Sequence, residues 1–153
     1  MKSPRQIFHI VSYLQYPLIV FSLFQYIPFI LSLAKGAPDW DALNFALTIY
    51  GVSISFSTLQ DTTKVQNKFS KNIWENPRKG KFMIIMLACT SLFFILTGLL
   101  LFVLGDPEGF GRIAIGILVL GIGLLGMLKA ALEIFENHRL DKVATNEAAD
   151  RIA

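Results

Sequence analysis

Chemistry in this chain would have to come from few groups: two histidines, one cysteine and eleven carboxylates among 153 residues. His9 and His138 stand far apart, whereas a zinc site needs three or four ligands brought close together, so no metal is expected. No cofactor motif is present either. Gly105 to Gly111 is glycine-rich but lacks the Gly-Lys-Ser/Thr ending that makes such a loop a phosphate cradle. Cys89 is single and lies in an apolar run, which excludes an internal disulfide or a thiol relay within the chain. His9 shares a helical face with Tyr13 and Tyr16, and its residue type makes it a candidate pH-sensitive group. No carboxylate accompanies it, and it reads as an interfacial side chain. No nucleophile–base pair stands out, so the chain is not expected to be an enzyme.

The remaining polar chemistry is uncharged and embedded in apolar sequence. At about 100° per residue, Asn44, Thr48, Gly51, Ser55, Thr58 and Thr62 fall within an arc of about 80°. Ser53, Ser57, Gln60 and Lys64 form a second stripe on nearly the opposite face. Such residues either hydrogen-bond neighbouring helices or line a hydrated path. Asn44, Thr48, Ser55 and Thr58 are therefore the candidates for pore-lining or interhelical polar groups. A helix polar on two faces is poorly suited to lipid on either. Further on, Gly116, Gly123, Gly126 and Ala130 share a face where another backbone can approach closely, within the chain or in a second subunit.

The elements that position these residues follow from composition. The chain is 54% hydrophobic and 16% charged, where a soluble domain carries about 25% charged residues. About 20 apolar residues cross a bilayer as a helix. Four stretches are read as spans: Phe8 to Leu33, Ala42 to Leu59, Phe82 to Leu104 and Ile113 to Leu132. The first is too long, and too interrupted by Gln15, Pro17, Gln25 and Pro28, for a signal peptide. Pro17 and Pro28 should bend it. The third, nearly uniformly apolar, is expected to be the outermost. Pro38-Asp39-Trp40-Asp41 and Asp106-Pro107-Glu108 read as starts of the second and fourth spans, with Asp106 as N-cap. Asn76-Pro77 and Gly80 read as breaks before the third.

Basic residues set the expected orientation. Twelve lysines and arginines flank one side: Lys2, Arg5, Lys64, Lys68, Lys71, Arg78, Lys79, Lys81, Lys129, Arg139, Lys142 and Arg151. Only Lys35 and Arg112 flank the other. The positive-inside rule places both termini in the cytoplasm. The expected fold is thus an all-α membrane protein, a four-transmembrane-helix bundle of two antiparallel hairpins. It carries a basic cytoplasmic loop at 61–81 and a helical cytoplasmic extension at 133–153. The expected location is the cell (inner or plasma) membrane.

The net charge of +3 is concentrated in that loop, where Lys68, Lys71, Trp74, Arg78, Lys79 and Lys81 are candidates for contact with anionic lipid headgroups rather than nucleic acid. Proton-coupled transport needs an ionisable group at mid-membrane, and the first three spans have none. The reading of function is a self-associating, multi-pass protein forming a passive ion or small-solute channel lined by the second span. The alternative is a non-catalytic accessory or assembly subunit of a larger membrane complex.

Overall fold

A computed structural model describes residues 4–60 and 68–141. Thr62, Lys64 and the tail from 142 onward, all part of the expectations above, lie outside the described residues. Among the described residues there is helix and no strand. Three helical stretches are long and apolar enough to cross a membrane: Ile7–Ala34, Pro77–Leu104 and Phe110–His138.

The first of these is bent. Helix α1 (Pro4–Ser12) gives way to α2 (Gln15–Ala34) across Tyr13 and Leu14. Pro17 offers no N–H to the Tyr13 carbonyl and its ring crowds the preceding turn. The chain answers with tighter bonds, Tyr13 N–H to the Ile10 carbonyl at 3.1 Å and Tyr16 N–H to that of Tyr13 at 3.2 Å. Pro28 is carried within α2. The helix closes on Gly36 at φ +74°, a left-handed position that glycine adopts without steric cost. Gly36 and Ala37 donate to the carbonyls of Leu33 and Ser32 at 3.0 and 3.2 Å.

Helix α3 (Trp40–Ser57) starts where Asp39 accepts the Ala42 N–H at 3.0 Å. Its 18 residues reach about 27 Å, but Asp41, Asn44 and its hydroxyls make it more polar than the three helices above. A short α4 (Lys68–Trp74) leads into α5 (Pro77–Leu104). This helix begins five residues before the expected Phe82. Asn76 caps it, accepting the N–H groups of Arg78 and Lys79 at 3.0 and 3.3 Å, with Pro77 in the first turn. Gly80, expected as a break, lies inside α5.

Asp106 does not cap the last helix. Its carboxylate accepts the Glu108 N–H at 3.2 Å in a tight turn, and a 3₁₀ turn over Phe110–Ile113 precedes α6 (Ala114–His138). Helix α6 continues six residues past the expected Leu132, as far as His138. Arg139 is extended, and Leu140 donates to the Glu75 carbonyl at 3.3 Å, tying this end of α6 to the end of α4.

The long helices do not close into a square bundle. Helix α2 packs on α3, α3 on α6 and α6 on α5, while α2 and α5 share no substantial contact. The reason lies in α3. It meets α2 through the face of Ala46 and α6 through that of Asn44, and the two are about 160° apart around the helix. A helix using opposite faces lines its neighbours up in a row. The most exposed apolar stretch is then Ile7–Ala34, with 6% of its most apolar part buried, against 17% for Pro77–Leu104 and 44% for Phe110–His138. The expected outer wall, α5, is less exposed than α2.

Candidate functional site

The seam between α3 and α6 gathers most of the singled-out residues. A methyl on Gly51 would lie 2.6 Å from the Leu120 nitrogen, and one on Gly116 would lie 2.6 Å from the Asn44 carbonyl oxygen. One on Gly123 would meet the Gly51 carbonyl, and one on Gly126 would lie 2.9 Å from Thr58 Cγ2. The glycine face is therefore occupied by α3 of the same chain. Ala130 is half-buried near its end.

Asn44 accepts the Gly116 N–H on its Oδ1 at 2.7 Å. Gly116 sits in the first turn of α6, whose N–H groups have no partner within the helix. Asn44 thus supplies from a neighbouring helix the cap that Asp106 does not provide. The hydroxyls of Thr48, Ser55 and Thr58 donate to carbonyls of their own helix: Asn44 at 2.8 Å, Gly51 at 3.1 Å and Ser55 at 2.8 Å. The stripe splits in two: Asn44, Gly51 and Thr58 meet α6, while Thr48 and Ser55 turn toward an open edge with Phe45 and Val52. The opposite stripe meets α2. Ser53, on the Ala46 face, is fully buried, and Ser22 of α2 donates to the Ala46 carbonyl at 2.9 Å.

Sequence reasoning missed the matching seam between α5 and α6. Buried Ser91 donates to the Gly121 carbonyl at 3.0 Å, and a methyl on Gly98 would lie 2.7 Å from Leu118 Cγ. The available signal was the seven-residue spacing of Ser91 and Gly98, two turns apart on one face.

At one end of the row, Trp40 packs between Phe29 and Phe110, with ring centroids 5.8 and 4.6 Å away. Arg112 pairs with Asp41 at 3.0 Å. At the other end, Trp74 is buried against Leu87, Ala131 and Phe135, which removes it from the set free to meet lipid headgroups. The Phe135 ring lies where a Gly80 side chain would stand, and Arg139 covers that ring at 5.7 Å.

Lys71 pairs with Glu75 at 3.5 Å, and Lys129 with Glu133 at 3.4 Å. Lys68 opens α4. Arg78, Lys79 and Lys81 are exposed in the first turns of α5. Arg78 and Lys79 border an apolar groove of about 330 Å³ with Ile73, Phe82 and Met83.

His9 stands edge-on to Tyr13 with centroids 5.3 Å apart, and His138 Nδ1 lies 2.9 Å from the Ile134 carbonyl. Among the described residues no three His, Cys, Asp or Glu side chains gather to hold a metal ion. No family model, curated protein or solved structure matches the chain. What the fold defines is a class: a protein helical and without strands among the described residues, with three helices there fit to cross a membrane.

Proposed function

We propose that this chain is a four-pass integral membrane protein serving, without catalysis, as an accessory or assembly subunit of a larger membrane complex. Helix α3 is the fourth crossing. Its length suits a bilayer core, and its Ala46 and Asn44 faces are turned to α2 and α6, with Thr48 and Ser55 at the open edge between them. Contacts of Ser22 with Ala46 and Phe29 with Trp40 support one antiparallel hairpin. Those of Gly98 with Leu118 and Gly80 with Phe135 support a second. The charge count supports a cytoplasmic position for both termini, α4 and the end of α6.

One observation carries the assignment to an assembly role. The interhelical polar bonds Asn44–Gly116, Ser22–Ala46 and Ser91–Gly121 are spent on holding one helix to the next rather than on lining a path. What the row presents instead is broad apolar flanks and a compact cytoplasmic end. A second reading, a channel formed by self-association, draws on the open edge of α3 with Thr48 and Ser55.

Purification of a tagged chain from its native membranes in mild detergent separates them. A second protein at fixed stoichiometry is expected. A homo-oligomer that conducts in liposomes, and stops conducting on Ser55→Leu, would replace the subunit reading with the channel. A lone monomer would sink both.

A further inference from the structure

We propose that the groove between α4 and the start of α5 is a binding site for one anionic phospholipid of the cytoplasmic leaflet. Its phosphate would lie between Arg78 and Lys79, and the top of an acyl chain over Ile73, Phe82 and Met83. The proposal rests on the reading that this end of the row lies at the cytoplasmic membrane surface.

Two features point to an anion. Arg78 and Lys79 have no ion-pair partner among the described residues, whereas Lys71 on the adjoining helix is paired with Glu75. They also occupy the first turn of α5, which has no acidic residue, so they face the positive end of the helix dipole. Cations are disfavoured there unless an anion joins them. The exposed backbone donors are not the attraction, because Asn76 already takes the N–H groups of both residues.

The apolar half of the groove identifies that anion as a lipid. Phe82 and Met83 follow Arg78 and Lys79 by four residues, which places them on the same face about 6 Å deeper along the helix. Side chains lean toward the helix N-terminus, so the two cations reach up to headgroup level while the rings and thioether stay below. Ile73 forms the opposite wall and packs on the buried Trp74 cluster, which fixes the floor of the groove. Phe82 is 66% exposed, a large apolar surface that an acyl chain would cover.

Trp74 provides the reporter. The chain has two tryptophans, so Trp40→Phe leaves Trp74 as the sole tryptophan, excited selectively over the four tyrosines at the red edge of the absorption band. The protein is held in phosphatidylcholine nanodiscs, and brominated phosphatidylglycerol or brominated phosphatidylcholine is titrated in. Saturable quenching at low mole fraction is expected for the glycerol lipid alone. Arg78→Gln with Lys79→Gln should weaken it roughly 30-fold, at about tenfold per 1.4 kcal/mol and near-surface cation strengths. Lys35→Gln should leave it unchanged.

If the double variant does not fold, Phe82→Ser takes its place, with about tenfold weakening expected from the lost apolar cover. Equal quenching by both lipids, or full quenching after either substitution, would overturn the site. Displacement of the lipid by millimolar glycerol phosphate would do the same, marking a small-anion site instead. Nanodiscs present both leaflets alike, so a negative result here is distinct from an error in orientation.

Discussion

Gly51→Ala isolates the contact on which the row depends. Alanine exceeds glycine in helix propensity by about 1 kcal/mol, so an unpacked site would be stabilised. Here the new methyl would stand 2.6 Å from the Leu120 nitrogen and 2.7 Å from both Leu120 Cα and the Val119 carbonyl carbon. All three are backbone atoms, with no rotamer to move aside. Helices α3 and α6 would have to part by about 0.8 Å to restore the 3.4 Å of ordinary contact. That separation stretches the Asn44–Gly116 bond from 2.7 Å to near the limit of hydrogen bonding. Overpacking costs about 1–3 kcal/mol, and an interhelical bond in a membrane protein about 0.6. Net of propensity, a loss of about 0.6–2.6 kcal/mol is expected. Reversible unfolding in mixed dodecylmaltoside and SDS micelles, followed by far-ultraviolet circular dichroism, reads it. The double variant with Gly123→Ala should lose at least 0.5 kcal/mol less than the two single losses summed, because the first separation makes room for the second methyl. Unchanged or raised stability for Gly51→Ala, or strict additivity, would refute the close approach.

Trp74→Ala should cost about 3–5 kcal/mol, the loss typical of a buried aromatic, with Trp74→Phe retaining most of the stability. A change below about 0.5 kcal/mol in the same assay would return Trp74 to the headgroup region. Orientation is checked in a Cys89→Ser background with a membrane-impermeant maleimide. Glu108→Cys and Lys35→Cys should label from outside intact cells, and Asn72→Cys only after lysis; the reverse pattern would invert the topology.

Local signals in the sequence were legible where the chemistry was local. Asp39 starts its helix as its type suggests, and Asn76-Pro77, read as a break, also starts one, because a capping oxygen and a missing N–H act within one turn. Pro17 bends the first stretch for the same reason. Asp106-Pro107-Glu108 carried an equally good local pattern and misled, since Asp106 closed a turn while Asn44, 72 residues away, capped α6. Gly80 had the composition of a breaker and Trp74 that of an interfacial anchor. Phe135 changes both readings: its ring needs the space Gly80 leaves and shares a buried cluster with Trp74.

Sequence by itself determined that three of the four stretches are apolar enough for a bilayer, that the basic residues cluster outside the apolar stretches, and that the Ala42–Leu59 stretch is polar on two faces. These are properties of composition and helical period, and they need no knowledge of neighbours. Tertiary structure alone decided that one of those faces meets α2, that the other meets α6 through Asn44, Gly51 and Thr58 only, and that the glycines of α6 receive this chain's own α3. It also decided that four helices lie in a row. Such choices depend on which surfaces fit at backbone distance, where a single methyl group determines whether two helices can touch, and residue spacing along one helix carries no record of the surface opposite.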